Sequence, residues 1–241
     1  MTPLLLVVLA LQSPAADTLR QLALRLPQSA LVAETRARPA ATREAVTFAF
    51  ARRDLVVATT LSAAYAVAWG DSFLAREVAR FAASSPERQT GKVWVDSARR
   101  AGVTVYGRDG AMAAVVVWRR ALARARAIGD TAAIASVLGN IGAAFSSTQQ
   151  LDSAEWYLER ARTLAEAIGD VPVAANAIGT LASVREDRGD VSTARAEYAQ
   201  AIALRARIGD TRGMAADYNN LGLIAESAGD LAEARRQFEA A

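Results

Sequence analysis

From residue 131 onward, apolar and small residues recur along the chain in blocks of equal length. The tripeptide Ile-Gly-Asp closes at Asp130, at Asp170 and again at Asp210, a period of 40 residues. The recurring slots hold Leu138, Ile141, Gly142, Phe145, Ala154, Leu158 and Ala161 in the first block, Ile178, Leu181, Ala182, Arg185, Ala194, Tyr198 and Ala201 in the second, and Tyr218, Leu221, Gly222, Ala225, Ala234, Phe238 and Ala241 in the third. Such a period predicts a stacked array of repeated units.

Each block has the pattern of two helices joined by a tight turn, because its apolar slots lie three or four residues apart. Gly189-Asp190 and Gly229-Asp230 mark the turn inside a block. At the Ile-Gly-Asp tripeptides we expect the glycine to end one helix in a left-handed conformation and the aspartate to cap the next.

Small residues in one slot of the first helix predict that neighbouring helices pack closely. Gly142, Ala182 and Gly222 place almost no side chain between two backbones, and large residues such as Leu158 then fill the gap. A unit of this kind cannot bury its apolar face alone, so the blocks must stack on one another.

This pattern resembles the tetratricopeptide repeat, a helix-turn-helix unit, here extended to 40 residues. The resemblance is strong over 131–170, 171–210 and a truncated 211–241 and fades toward the N-terminus. Residues 91–130 are another full-length repeat, with Gly102 in a slot of its first helix and Trp118 in a core slot of its second. It implies an all-α, right-handed superhelical solenoid. Arg185 and Ala225 stand where the family has an aromatic residue.

The region 17–90 is expected to be helical but irregular. Three helices are predicted, capped by Asp17, beginning at Ser29, and preceded by Thr42, the third with Ala45, Phe48 and Ala49 as its apolar stripe. Pro27 and Pro39 separate them.

The stretch Leu55–Trp69 is almost wholly apolar, but its threonines, serine and alanines favour a buried helix over a membrane span. With the turn at Gly70-Asp71, it begins a degenerate repeat in which Ala75 and Ala82 match the later small pair. The polar run 84–89 is expected to form a loop or a subdomain joint.

Residues 1–16 have the pattern of a secretory leader. Leu4–Leu11 is the length of the apolar region of a signal peptide and too short to span a bilayer, and small residues precede a cut near Ala15 or Ala16. We therefore expect export to the periplasm or the exterior, and a cytoplasmic location if the leader is not cleaved. The last block stops inside its second helix, so we also expect the natural array to continue past residue 241.

The composition removes several classes of chemistry. The chain has no histidine and no cysteine, which excludes catalytic triads with histidine, thiol nucleophiles, disulfides and the usual zinc sites. No glycine-rich phosphate loop is present, and the acidic clusters lack calcium-loop spacing. We expect no catalytic residue, cofactor or metal. The net charge of +3 comes almost wholly from arginine, which reflects either coding bias or an anionic partner, and no nucleic acid is expected.

One recurring polar slot predicts a binding surface. Asn140, Thr180 and Asn220 occupy the same position in successive blocks, and Asn176, Asn219 and Ser183 lie on the same side by helical spacing. The resemblance implies that this slot lines a concave groove, where an amide can donate to and accept from a peptide backbone. In the alternative, Asn140 and Asn220 bond neighbouring helix ends and set the superhelix pitch.

The sequence therefore predicts a non-catalytic scaffold or sensor that binds a protein or peptide. Two alternatives stay open. The chain resembles the N-terminal halves of bacterial proteins that end in a caspase-like CHAT protease domain, which it would then regulate. It would be a cytoplasmic signalling regulator if the leader is not cleaved. The oligomeric state is not predicted.

Overall fold

The computed structural model describes residues 13–241, and the leader segment Met1–Gln12 lies outside the described residues. The described part is all-α, as predicted, without a strand. Its helices are α1 (Pro14–Ala23), α2 (Gln28–Ala37), α3 (Pro39–Arg52), α4 (Leu55–Trp69), α5 (Phe73–Ala82), α6 (Pro86–Asp109), α7 (Ala111–Ile128), α8 (Thr131–Ser147), α9 (Leu151–Ile168), α10 (Val171–Asp187), α11 (Val191–Ala206), α12 (Thr211–Ser227) and α13 (Leu231–Ala240).

The helices form two compact units. The first unit contains 13–108 and 117–133 of the described chain, and the second contains 109–116 and 134–241. The boundary crosses α6, α7 and α8, so it does not coincide with the polar run 84–89.

The first unit is built around α4, whose apolar stretch is a buried helix, as predicted. Leu61 and Tyr65 are fully buried among residues of α1, α2, α3 and α5. Arg43 donates to the Tyr65 hydroxyl at 2.7 Å, which satisfies the polar end of that side chain. In residues 13–241, no helix is both long and apolar enough to cross a membrane.

The starts of the first helices differ from the prediction. Ser13, and not Asp17, caps α1, because its hydroxyl accepts from the Ala16 N–H at 3.2 Å. Ser13 also donates from its backbone nitrogen and its hydroxyl to the Glu44 carboxylate, at 2.9 and 2.6 Å. The third helix begins at Pro39, earlier than Thr42, since proline fits the first turn of a helix, where its missing N–H has no partner to lose.

The prediction that Ala75 and Ala82 are the small packing pair of a degenerate repeat is wrong. Ala75 is half-buried and Ala82 is exposed, whereas Leu74, Val78 and Phe81 form the buried face of α5. The large side chains take the core side because they bury more apolar area than alanine.

The polar run 84–89 is also mostly helical. Pro86 begins α6, and Ser85 accepts from the backbone nitrogens of Arg88 and Gln89. Of the run 84–89, only the two serines therefore lie outside a helix. A capping serine followed by proline at the first helical position is a typical start of a helix.

Trp118 lies in the core of the first unit, as predicted, and packs over Gly102. Its indole nitrogen donates to the Arg99 carbonyl at 2.9 Å, and only 3% of the residue is exposed. Of the other three tryptophans, Trp69 and Trp94 are half-buried and Trp156 is exposed.

Gly102→Ala is expected to displace Trp118 and lower the melting temperature. A methyl group at this position would sit 2.1 Å from the indole nitrogen, inside any allowed contact. Overpacking of this kind costs about 1–3 kcal/mol, more than the gain in helix propensity of about 1 kcal/mol. A thermal melt with tryptophan fluorescence checks it. Gly107→Ala on the same helix is the control, because its methyl group would meet no atom within 4 Å.

The second unit stacks the helical hairpins predicted from the repeat, with α8 and α9, α10 and α11, and α12 and α13 as successive pairs. The turns between blocks have the expected geometry. Gly169 and Gly209 adopt φ of 73° and 64°, and Asp170 and Asp210 accept from the N–H groups of Val173 and Gly213 at 3.3 and 3.1 Å.

Arg185 replaces an aromatic contact by ion pairs. It bonds to Glu155 and lies 3.4 Å from Glu159, both on α9, so the contact between α9 and α10 at this slot is electrostatic. The slot keeps its function in packing while its chemistry changes.

Candidate functional site

The first helices of three successive hairpins enclose a polar groove in the second unit. The groove has a volume of about 440 Å³ and lies along α8, α10 and α12. Its lining consists of small and polar side chains: Ser136, Gly139, Asn140, Ala143, Val173, Asn176, Ala177, Gly179, Thr180, Ser183, Arg205, Asp217 and Asn220. The repeat places these residues together because the same helix face recurs at each period.

Five of the six residues selected from the sequence line this groove, namely Asn140, Thr180, Asn220, Asn176 and Ser183. Asn219 does not line it and is exposed elsewhere on α12. Helical spacing brought Asn219 near the inner side, but it lies one residue before Asn220, about 100° away around the helix.

Asn140 lines the groove and has an unused hydrogen-bond donor. Its Nδ2 is buried and has no hydrogen-bond partner in the described structure. A buried amide nitrogen without a partner costs free energy, so this atom favours any occupant that supplies an acceptor. In the alternative, in which Asn140 bonds a helix end, the bond would have to use its Oδ1, because Nδ2 has no partner.

The Thr180 hydroxyl can accept a hydrogen bond from a ligand but has no proton left to donate to it. Its hydroxyl donates to the Asn176 carbonyl of the preceding turn at 2.9 Å. Hydroxyls within helices commonly bond in this way to the carbonyl four residues earlier. The donors of the groove must therefore come from the amides and from the hydroxyls of Ser136 and Ser183.

Two functional residues that sequence reasoning missed lie on the wall of the groove. Arg205 on α11 donates from Nε to Asp217 Oδ2 at 2.8 Å and from one terminal nitrogen to Asp210 Oδ2 at 2.7 Å. The same nitrogen donates to Asn176 Oδ1 at 2.9 Å. Arg205 and Asp217 are 8% and 4% exposed, so this is a buried ion pair at the edge of a binding surface.

Burial raises the pKa of the Asp217 carboxyl, while the charge of Arg205 and its hydrogen bond oppose that shift. The loss of hydration that accompanies burial therefore outweighs the attraction of the guanidinium. The carboxylate form of Asp217 depends on Arg205 for its stability in the folded protein.

Glycines admit the ion pair. A methyl group at Gly213 would sit 2.1 Å from Arg205 Nη1, and one at Gly179 would sit 3.1 Å from Asp217 Oδ1. Both glycines lie inside helices, so the space that the ion pair occupies, and not the backbone conformation, explains why these positions are glycine. A glycine inside a helix costs about 1 kcal/mol relative to alanine.

The sequence contains a signal for this pair, which lies in departures from the repeat and not in the common slots. One period earlier, the positions of Arg205, Gly213 and Asp217 hold Ala165, Val173 and Ala177. There Ala165 and Val173 belong to an apolar cluster. Three departures from the repeat at one place would have identified the pair.

A second cavity, of about 300 Å³, lies in the first unit beside Lys92, the only lysine of the chain. Lys92 Nζ lies 3.0 Å from Asp130, 3.8 Å from Asp96 and 3.9 Å from Glu77. Burial lowers the pKa of Lys92, but Asp96, Asp130 and Glu77 outweigh it, so the pKa is raised and the ammonium stays charged. This arrangement is an ion cluster of one ammonium and three carboxylates.

Comparison with known proteins supports the repeat. Residues 173–241 match the family model described as the tetratricopeptide repeat. A solved structure, the crystal structure of BtubC (BKLC) from P. vanneervenii, aligns with a TM-score of 0.54 and 18% identity, covering 99% of this chain and 89% of that one. At that identity the likeness shows the fold alone. No curated protein matches the chain.

These findings confirm the predicted repeat over 173–241 and the all-α repeat fold. Tetratricopeptide repeats are typical of non-catalytic scaffolds that bind proteins or peptides.

Proposed function

We propose that this chain is a binding scaffold whose groove along α8, α10 and α12 holds an extended peptide segment of a partner protein. The observation that carries the proposal is the buried, unpartnered Nδ2 of Asn140 in a groove lined by the recurring polar slot. Such a surface offers hydrogen bonds along its length and little apolar area. An extended backbone, with a donor and an acceptor at each residue, matches it.

The charges of the groove agree with a peptide held by its backbone. Arg205 and Asp217 neutralise each other, and no other charged residue lines the groove as the structure describes it. The groove therefore lacks an unpaired countercharge for a strongly charged ligand, and amides and hydroxyls provide its contacts.

Asn140→Ala combined with Asn220→Ala is expected to weaken peptide binding by about 1–3 kcal/mol, a factor of about 5 to 150, if the two contributions add. Each amide bonded to a neutral backbone group contributes about 0.5–1.5 kcal/mol. The measurement is the fluorescence anisotropy of peptides first selected on the wild-type protein from a displayed random library. A melt by circular dichroism is expected to show little change.

Asn219→Ala is the matched control, because this neighbouring amide is exposed and lies outside the groove. It should leave the affinity unchanged. Equal binding by the wild type and the double variant would refute the groove as the site. A large loss of stability without selective loss of binding would favour the role in superhelix pitch.

A further inference from the structure

The junction between the second and third hairpins contains a feature that the preceding junction lacks. Its groove wall holds the buried Arg205–Asp217 pair, at positions where the junction between the first and second hairpins has Ala165 and Ala177, each of them buried. Packing between hairpins therefore does not require an ion pair at this junction. A buried pair is also weak evidence for stability, since apolar replacements of similar volume are often neutral or stabilising.

The pair determines which way Asn176 faces. A guanidinium only donates hydrogen bonds, so the carbonyl oxygen Oδ1 of Asn176 must be the atom that faces Arg205, at 2.9 Å. The amide Nδ2 of Asn176 is then directed away from Arg205. Asn176 is exposed and lines the groove, so its N–H groups remain for an occupant.

Two amide donors on neighbouring helices follow from this geometry. Asn140 on α8 has a buried Nδ2 without a partner, and Asn176 on α10 has its oxygen occupied by Arg205. Both residues line the same groove. Their complement is a pair of acceptors, which successive carbonyl oxygens of an extended chain provide.

The same pair restricts charge on the occupant. Arg205 already contacts Asp217 and Asp210, at 2.8 and 2.7 Å. A negatively charged side chain placed against this wall would lose hydration without meeting a free cation, and a positively charged one would have to compete with Arg205 for Asp210 and Asp217, so both are unfavourable.

We propose that Arg205 and Asp217 are specificity-determining positioning residues, which fix Asn176 as a donor and select a segment that offers backbone carbonyls and uncharged side chains at the junction of the second and third hairpins. The inference rests on the proposed function and adds to it the chemistry of the segment that the groove accepts.

The main test gives this junction the residues of the junction between the first and second hairpins. The triple variant Arg205→Ala, Gly213→Val, Asp217→Ala reproduces Ala165, Val173 and Ala177. Peptides selected on the wild type from a displayed random library are expected to be uncharged and to bind the triple variant about tenfold more weakly, since Asn176 is no longer oriented. The melting temperature should not fall.

Asn176→Asp is the second variant, which keeps the size of the side chain and its contact with Arg205 but replaces the donor by an acceptor. It is exposed, so folding should be retained. We expect about tenfold weaker binding, because two acceptors would then face each other. Tighter binding would show that the occupant is cationic and would overturn the inference.

The outcomes separate the two proposals. Wild-type affinity in both the triple variant and Asn176→Asp, with weaker binding by the Asn140→Ala, Asn220→Ala variant, overturns the role of the pair and leaves the groove as the site. Unchanged binding by all three variants, or no peptide selected on the wild type, overturns the proposed function and this inference with it. If the triple variant does not fold, Asn176→Asp alone decides.

Discussion

Arg205→Ala is expected to lower the free energy of unfolding by about 3–5 kcal/mol at neutral pH, the largest effect of any single change considered. The substitution leaves Asp217, whose side chain is 5% exposed, without its cation. Breaking a buried pair costs much more than the pair contributes, because the remaining charge stays buried and unpaired. Chemical denaturation followed by circular dichroism measures the loss.

The destabilisation should shrink on acidification. Burial already raises the pKa of Asp217, and removing Arg205 removes the main opposing influence, so the pKa rises further in the variant. The folded variant then holds a proton at a pH where the unfolded chain has lost it. Its stability falls as the pH rises from the ordinary pKa of aspartate through the raised pKa, and it recovers in the reverse direction.

The double variant Arg205→Ala, Asp217→Ala is the control for this prediction. It removes both charges, so it should be more stable than Arg205→Ala at neutral pH and should lack the additional pH dependence. An Arg205→Ala variant that is as stable as the wild type at neutral pH would contradict the buried pair.

Gly142→Leu is expected to destabilise the second unit by about 1–3 kcal/mol or more. Even a methyl group there would sit 2.6 Å from Leu158 Cγ and 3.2 Å from the Leu158 backbone nitrogen. Leu158 is 1% exposed and cannot turn away, so α8 and α9 must separate. Since repeats contact only their neighbours, hydrogen exchange should increase first in 134–168.

Gly222→Leu is the matched control, in the same slot two blocks later in the array. A methyl group there meets the ring of Phe238 at 2.4 Å, but this ring is 39% exposed and can swing outward. We expect a smaller loss of stability than for Gly142→Leu. Equal losses, or an even rise in exchange along the whole second unit, would contradict nearest-neighbour packing.

The sequence by itself determined the helical hairpins of 131–241 and their turns. Each of these features depends on residues close in the chain. Examples are the hydrogen bond from the Val173 N–H to the Asp170 carboxylate and the left-handed conformation of Gly169. The 40-residue period then required the hairpins to stack, since one hairpin cannot bury its apolar face. The same period selected Asn140, Thr180 and Asn220, and helical spacing added Asn176 and Ser183, all of which line the groove.

The tertiary structure decided what depends on contacts distant in sequence or on packing geometry. The Arg205–Asn176 bond joins residues 29 apart, so it became visible only when α10 and α11 were placed together. The buried face of α5 follows Leu74, Val78 and Phe81, because in an irregular helix the available apolar volume and not the repeat register selects the side that packs. Local patterns determine elements, and the choice of partners across elements is settled by volume and charge in the assembled fold.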